Sequence, residues 1–471
     1  MEDVVIVGGG PGGYEAALVA AQLGARVTVV DRDGLGGSAV LTDCVPSKTL
    51  IATAGLMTSV LGAAELGVSL HSFDRAGAQP TDGVHADLPV VNRRVKQLAA
   101  AQSRDIADRL AREEVRALRG SGRLDGARTV LAALDDGGTE QLAADVVLVA
   151  TGAHPRVTDS AVPDGERILT WEQVYDLDEL PRRLVVVGSG VTGAELAGAY
   201  LALGSDVVLV SSRERVLPGE DADAAWVLEE VFTRRGMTVL SRSRMSSVER
   251  ADTVDGPGVR VTLTDGRTVE GSHCLLALGS VPNTTDLGLG SCGVELDARG
   301  FVQVDGVSRT SVRGVYAAGD CTGVLMLASV AAMQGRIAMW HSLGDAVRPL
   351  DLREVSSNVF TAPEIATVGC TQRAVDSGAI EAEGVRLELT GNARAKMQGV
   401  HEGFVKLFCR PGTGIVVGGV VVAPQASELI HPIALAVACN LTADQVAHAF
   451  TVYPSMTGSI GEAARRLHRR A

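Results

Sequence analysis

The chain has 471 residues, a formal net charge of −13, 46% hydrophobic and 3% aromatic residues, and 55 glycines. That length calls for several domains, and a glycine-rich, apolar composition excludes a disordered or fibrous chain. The negative charge argues against general nucleic-acid binding and against docking on an anionic membrane surface.

The first apolar run, Val4 to Gly8, ends in Gly8, Gly10 and Gly13 and is followed by a small-residue helix over Tyr14–Leu23 and a strand over Ala25–Val30 closed by Asp31. Glycines so placed let the backbone approach a pyrophosphate at the helix N-terminus, and Asp31 stands where a carboxylate binds adenosine ribose. Helical spacing over Val90–Ala111 leads back to a buried strand, Asp145–Ala150, and to Thr151-Gly152. The opening design recurs from Arg183 to Val210, with Gly188, Gly190 and Gly193 before a helix over Ala194–Leu203. Two such units predict two dinucleotide-binding domains.

At the place equivalent to Asp31 the second unit has Ser211, with Arg213 and Arg215 close behind. A carboxylate there clasps a ribose 2′-hydroxyl and repels a 2′-phosphate, so serine with arginines predicts NADPH use, with NADH also accepted. The alternative is that both arginines only coat a loop. Strands at Cys274–Gly279 and Val315–Ala318 precede a helix over Ser329–His341. From Leu350 onward strands (Phe404–Cys409, Ile415–Val422) mix with helices (Glu428–Ala438, Ala443–Phe450), an α+β pattern that predicts a third domain.

The most apolar tract, Ile415–Ala423, is short and glycine-interrupted and reads as a core strand, so no integral membrane segment is expected. The opening MEDVVIVGGG lacks the basic and apolar regions of a secretory signal. The cysteines (44, 274, 292, 321, 370, 409 and 439) form no CxxC or metal-type cluster. A cytoplasmic protein without a metal site is expected.

Residues 36–48 read GGSAVLTDCVPSK. This segment resembles the redox-active stretch of the pyridine nucleotide-disulfide reductase family (lipoamide dehydrogenase, glutathione reductase, mercuric reductase), whose pattern is roughly G-G-T-C-x-N-x-G-C-I-P-S-K. The resemblance runs essentially end to end. Thr151-Gly152 matches the ATG motif, and GVYAAGDC at 314–321 matches the second FAD motif, which puts Asp320 on the ribityl chain. Glu195 matches the glutamate that pairs with the motif lysine, here Lys48, beside the flavin.

The resemblance implies an α/β fold with two Rossmann-like domains and a C-terminal α+β dimerisation domain. An FAD domain at 1–152 and 275–345 would be split by an NAD(P) domain at 153–274 and followed by the dimerisation domain at 346–471. It implies a homodimer with FAD and NADPH or NADH as cofactors. The cofactor-binding positions are then Gly8, Gly10, Gly13, Asp31, Ser38, Lys48, Gly122, Thr151, Gly152, Gly319, Asp320 and Ala328, with Gly188, Gly190, Gly193, Glu195, Ser211, Arg213 and Gly279.

Four departures redirect the chemistry. The family's attacking cysteine falls on Ala39 and its flavin-side cysteine on Cys44. The C-terminal histidine and glutamate that serve the thiols fall on Tyr453 and Gly458, and Val191 stands where many relatives carry a flavin-covering tyrosine. Alanine has no nucleophile, and a tyrosine with an ordinary pKa of about 10 is a poor base near neutrality.

These departures predict an FAD-dependent NAD(P)H oxidoreductase without a disulfide relay, and the resemblance to actinobacterial lipoamide dehydrogenase homologues that reduce quinones implies a quinone as the acceptor. Lys48, Glu195, Cys44 and Tyr453 are the catalytic candidates. Cys44 is either a spectator or a thiol cycling through sulfenic acid, and Tyr453 either donates to a carbonyl oxygen or packs on the partner subunit. His431 and His448 are either substitute bases or interface residues. A soluble transhydrogenase, a single-cysteine peroxidase or oxidase, and a redox-silent flavoprotein serving as a binding subunit are the competing readings.

Overall fold

The computed structural model describes residues 1–68 and 84–468. The chain divides into two compact units, Met1–Thr49 with Asn92–Arg156 and Gly279–Asp351, and Leu50–Val91 with Val157–Leu278 and the chain from Leu352.

In the first unit β1 (Asp3–Val7) lies between β2 (Arg26–Asp31) and β6 (Val146–Val149), in parallel register Val5↔Thr28 and Val5↔Val147. The sheet order is β17-β6-β1-β2-β3-β4-β5, with β17 (Val315–Ala317) at one edge and β3 (Arg116–Leu124), β4 (Thr129–Leu134) and β5 (Thr139–Ala143) forming an antiparallel meander at the other. Both faces of β1 are covered, which is why it is apolar from Val4 to Val7. Val4 and Ile6 pack among residues of α1 (Pro11–Gln22) and α7 (Ala328–Ser342), whereas Val5 and Val7 pack with Leu124 and Val130. A Cβ at Gly335 would come 2.1 Å from the Gly12 carbonyl oxygen, so the small residues of α1 serve a close helix contact. A short ribbon of β7 (Ala153–Pro155) and β16 (Ser280–Pro282) completes this unit.

The connection after β2 forms α2 (Gly37–Leu41) and α3 (Cys44–Leu61), and α4 (Leu88–Arg112) returns to β3. Among the described residues, one helical stretch, Gly37–Leu61, is long and apolar enough to cross a membrane by composition alone. Its first residue lies on the glycine turn after β1, where a Gly37 Cβ would meet the Gly10 Cα at 2.7 Å.

The second unit repeats the parallel design as β11-β10-β9-β15-β8, built from β8 (Ile168–Thr170), β9 (Arg183–Val187), β10 (Asp206–Val210), β11 (Thr238–Leu240) and β15 (His273–Leu276). Helices α5 (Val191–Leu203) and α6 (Ala222–Arg234) belong to it, with an antiparallel sheet of β12 (Met245–Thr253), β13 (Gly256–Leu263) and β14 (Thr268–Gly271).

The C-terminal sheet of this unit is antiparallel, in the order β18-β19-β22-β21-β20: β18 (Ser356–Val359), β19 (Glu364–Gly369), β20 (Glu383–Glu388), β21 (Phe404–Cys409) and β22 (Val416–Ala423). Around it run α8 (Gln372–Asp376), α9 (Ala393–Met397), α10 (Ala426–Leu429), α11 (His431–Ala438), α12 (Ala443–His448) and α13 (Gly458–Arg466). The helix expected over Glu428–Ala438 is broken at Ile430 because Pro432, lacking an N–H, starts a new helix instead of continuing one. Lys406 of β21 is 4% exposed and reaches Asp221 (2.8 Å) and Asp223 (2.9 Å). Asp221 also caps α6 by accepting from the Asp223 and Ala224 amides.

Candidate functional site: two glycine turns and a reduced redox segment

Gly8 ends β1 at φ +106°, and a Cβ there would sit 2.2 Å from the Ala150 carbonyl oxygen. A Cβ at Gly13 would sit 1.9 Å from the Gly8 oxygen. No side chain caps α1, so its first amides stay available to an anion. Asp31 accepts from Gly9 N (2.7 Å) with one carboxylate oxygen and from Asp33 N and Gly34 N with the other. A cavity of about 320 Å³ opens beside it, lined by Gly8, Asp31, Gly122, Thr151, His154 and Asn283 among others. An acid at a ribose-sized cavity next to an uncapped helix fits the adenosine and diphosphate of FAD.

Sequence reasoning missed Asn283, whose side-chain amide donates to the Thr151 backbone carbonyl (2.9 Å) while its backbone carbonyl accepts from the Thr151 hydroxyl (2.6 Å). His154 Nδ1 lies 2.6 Å from the Asn283 side-chain oxygen. Gln334, almost fully buried, accepts from Gly319 N at 2.9 Å and fixes the turn that carries Asp320. Neither residue carries a periodic or glycine-spacing signal. Gly152 has φ +69°, Ala328 opens α7, and Gly279 falls in the first unit, its carbonyl accepting from Arg156 N.

The second turn repeats the first. Gly188 has φ +112° with a Cβ position 2.1 Å from the Ala277 oxygen, a Cβ at Gly193 would lie 1.9 Å from the Gly188 oxygen, and Gly190 precedes α5 without a side-chain cap. Ser211, expected to face a ribose, is instead completely buried. Its hydroxyl lies 2.7 Å from that of Ser189 and accepts from Arg213 N (3.2 Å), so the loop engages it rather than a ligand. Ser212, Arg213 and Glu214 are the exposed side chains that follow, with Glu214 paired to Arg242 and Arg215 only partly exposed.

In the redox segment Ser38 and Ala39 lie in α2, and the Ser38 carbonyl accepts from Asp43 N (2.8 Å). Cys44, half-buried, starts α3, with Lys48 farther along it. Lys48 belongs to the first unit and Glu195 to the second. Glu195 is 3% exposed and accepts from Phe360 N at 2.8 Å, a restraint the sequence did not signal. Burial pushes the thiols of Cys274, Cys321 and Cys370 up, Cys321 to about 11, so these are poor nucleophiles near neutrality.

Tyr453 is 85% exposed in the single chain, beside fully exposed Phe450 and largely exposed Val452. Nothing lies within 3.4 Å of a Cβ at Gly458, whose nearest neighbours are Ser455 Oγ at 3.7 Å and Thr451 Oγ1 at 3.8 Å, so the backbone leaves room for a side chain. His431 begins α11 and His448 ends α12, both exposed, with His448 Nδ1 2.7 Å from the Asp444 carbonyl oxygen.

Comparison with known proteins agrees with this geometry. The family described as "Pyridine nucleotide-disulphide oxidoreductase" matches residues 2–335, and its dimerisation domain matches residues 355–464. The chain is 55% identical to a Mycobacterium tuberculosis protein named NAD(P)H dehydrogenase (quinone), over 98% of this chain and 93% of that one. It is 32% identical to a dihydrolipoyl dehydrogenase of Chlorobaculum tepidum, over 98% and 96%. The crystal structure of LpdA from Mycobacterium tuberculosis superposes with a TM-score of 0.93 at 55% identity and full coverage of both chains. The flavoprotein disulfide reductase RclA of Escherichia coli, at 21% identity and TM-score 0.84 over 98% and 99% of the two chains, shares the fold.

Proposed function

The chain belongs to the pyridine nucleotide-disulphide oxidoreductase family and is an FAD- and NAD(P)H-dependent oxidoreductase, and we propose that it reduces quinones directly, without a disulfide relay. The observation that carries this reading is Ala39 at the head of a segment whose cofactor-side residues are all present. Bound FAD supplies the chemistry of accepting a hydride from the nicotinamide and passing two electrons on.

The protein's own contribution is positioning and charge. The uncapped starts of α1 and α5 bind the two diphosphates, and Asp31 and Asp320 hold the hydroxyl-bearing parts of FAD. The Phe360 amide holds the Glu195 carboxylate in one orientation, and Lys48, on α3, supplies a positive charge for the flavin edge. Tyr453, on an exposed apolar segment of the dimerisation domain, meets the partner subunit of a homodimer and donates to a quinone oxygen. Seven free cysteines suit a cytoplasmic setting.

Anaerobic stopped-flow tests the reading. Enzyme reduced with NADPH or NADH should be reoxidised rapidly by menadione and not by lipoamide, with Cys44→Ser changing the menadione rate less than about twofold, because no thiol takes part. Reoxidation by lipoamide, or loss of menadione turnover in Cys44→Ser, would replace direct transfer with a thiol cycle.

A further inference from the structure

A cavity of about 470 Å³ lies beside the segment that carries Tyr453, with Leu387, Asn392, Tyr453, Pro454, Gly458 and Arg466 in its walls. That size is in the range of small-molecule sites. Gly458 stands there without a backbone reason. Its φ is not positive, and it opens α13, where alanine would serve a helix better. Crowding does not require glycine either, because the atoms nearest a Cβ are the Ser455 and Thr451 hydroxyl oxygens at 3.7 and 3.8 Å. The side chain that Gly458 lacks is cavity space.

The wall is braced from within. Asn392 caps α9 by accepting from the Arg394 and Ala395 amides, and its side-chain amide donates to the Ser455 carbonyl (3.0 Å) and the Ser459 hydroxyl (2.8 Å). Both carboxylates of the lining are already paired, Glu388 with Arg386 at 2.8 Å, and Glu462 with Arg465 at 2.7 Å and Arg466 at 3.2 Å. Charges answered inside the protein suit the cavity to a neutral ligand. Among the described residues neither the Tyr453 phenol nor the Thr451 hydroxyl has a hydrogen-bond partner, and Leu387, Val452 and Pro454 add apolar surface. A flat ring bearing carbonyl oxygens needs these two things, apolar contact for its faces and hydroxyl donors for its oxygens.

We propose that this cavity seats the quinone, with the space left by Gly458 holding the fused second ring of a naphthoquinone, so that Gly458 sets the size of acceptor taken. This rests on the quinone reading of the protein and names where its acceptor binds. A larger side chain on α13 would grow into the seat, leaving room for a monocyclic quinone and excluding a bicyclic one.

The test uses the FAD-loaded protein with bicyclic menadione and monocyclic duroquinone as acceptors. Gly458→Leu should raise the KM for menadione about tenfold or more and that for duroquinone less than about threefold. Flavin reduction by NADPH or NADH should stay within about twofold of wild type, and Gly458→Ala should keep both KM values within about threefold. Ala393→Leu narrows the same cavity from α9 and should act on menadione in the same direction. Calorimetry of menadione binding to the oxidised enzyme, where no electrons pass, should show the same loss of affinity. Thermal melts and gel filtration establish that each variant is folded with the wild-type oligomeric state, and Ala393→Leu decides if Gly458→Leu does not fold. A folded variant with the wild-type KM and Kd for menadione, or an equal rise for both quinones, would overturn the seat and leave quinone reduction intact. Wild-type protein that reduces neither quinone would overturn both.

Discussion

The two nucleotide turns have one backbone and two chemistries. Gly8, Gly13 and Ala150 in the first unit correspond to Gly188, Gly193 and Ala277 in the second, with the hypothetical Cβ contacts agreeing to within about 0.1 Å. The difference lies where the second strand ends. In the first turn Asp31 reaches back to the Gly9 amide, and a Cβ on Gly9 would meet the Asp31 carboxylate at 3.1 Å, so acid and glycine come as a pair. In the second, Ser211 is too short to fill that space and Ser189 supplies the missing volume and hydrogen bond. The space next to the second strand end is therefore filled by a two-residue unit in each turn, Gly9 with Asp31 and Ser189 with Ser211.

The largest effect should come from the shared scaffold. Gly13→Ala should yield protein with almost no bound flavin, read from the visible spectrum. Gly193→Ala should keep its flavin and lose reduction by NADPH by about a hundredfold or more, measured by stopped-flow. If both variants lose the same cofactor, the division of labour between the turns is wrong.

The next largest effect concerns the paired positions. Ser211→Asp alone should destabilise the second unit, because an acid there is buried against Ser189. Ser189→Gly with Ser211→Asp should restore stability and shift the NADPH/NADH ratio of kcat/KM toward NADH by about tenfold or more. An unchanged ratio in a folded double variant would remove this pair from coenzyme choice. Arg213→Ala should act in the same direction but more weakly, raising the KM for NADPH about three- to tenfold with little change in kcat.

The smallest effect separates the two sheets by pH. His273 begins β15 where β6 begins with Val146, and both side chains are nearly fully buried. Burial holds the His273 imidazole down to about 4, with Arg167 adding to the shift, against 6.5 for the free group. The unfolded chain binds that proton more readily, so stability conferred by the neutral ring is complete above about pH 6.5 and is lost toward pH 4, by on the order of 2 kcal/mol. His273→Val should flatten the acid limb of thermal melting, and an unaltered limb would place the acid sensitivity elsewhere.

Elements whose burial pattern is one-dimensional were legible in the sequence. The strands before Gly8 and Gly188 are apolar after their first residue because both faces are covered, and the glycines must be glycine because a carbonyl occupies the space of a side chain. The meander of β3 to β5 was not legible, since half its residues face solvent, nor was the break at Ile430, which depends on where Pro432 falls in a helical turn. In the site, the glycine spacing pointed to Asp31 and the family resemblance to Asp320 and Glu195, but neither signalled their restraints. Asn283 and Gln334 act through single bonds to backbone groups far off in sequence, and the burial of Ser211 depends on its neighbour Ser189.

One contact bears on how this protein can be taken apart. The cap of α6 is completed by Lys406, a residue nearly two hundred positions downstream, whose ammonium is buried against Asp221. Removing one member of a buried pair leaves the other charge stranded at a cost of about 3–5 kcal/mol. A fragment ending before the C-terminal sheet would expose that carboxylate and loosen the helix it starts. The coenzyme module is therefore not a portable part, and chimeras that exchange it between relatives need to carry the matching lysine with it.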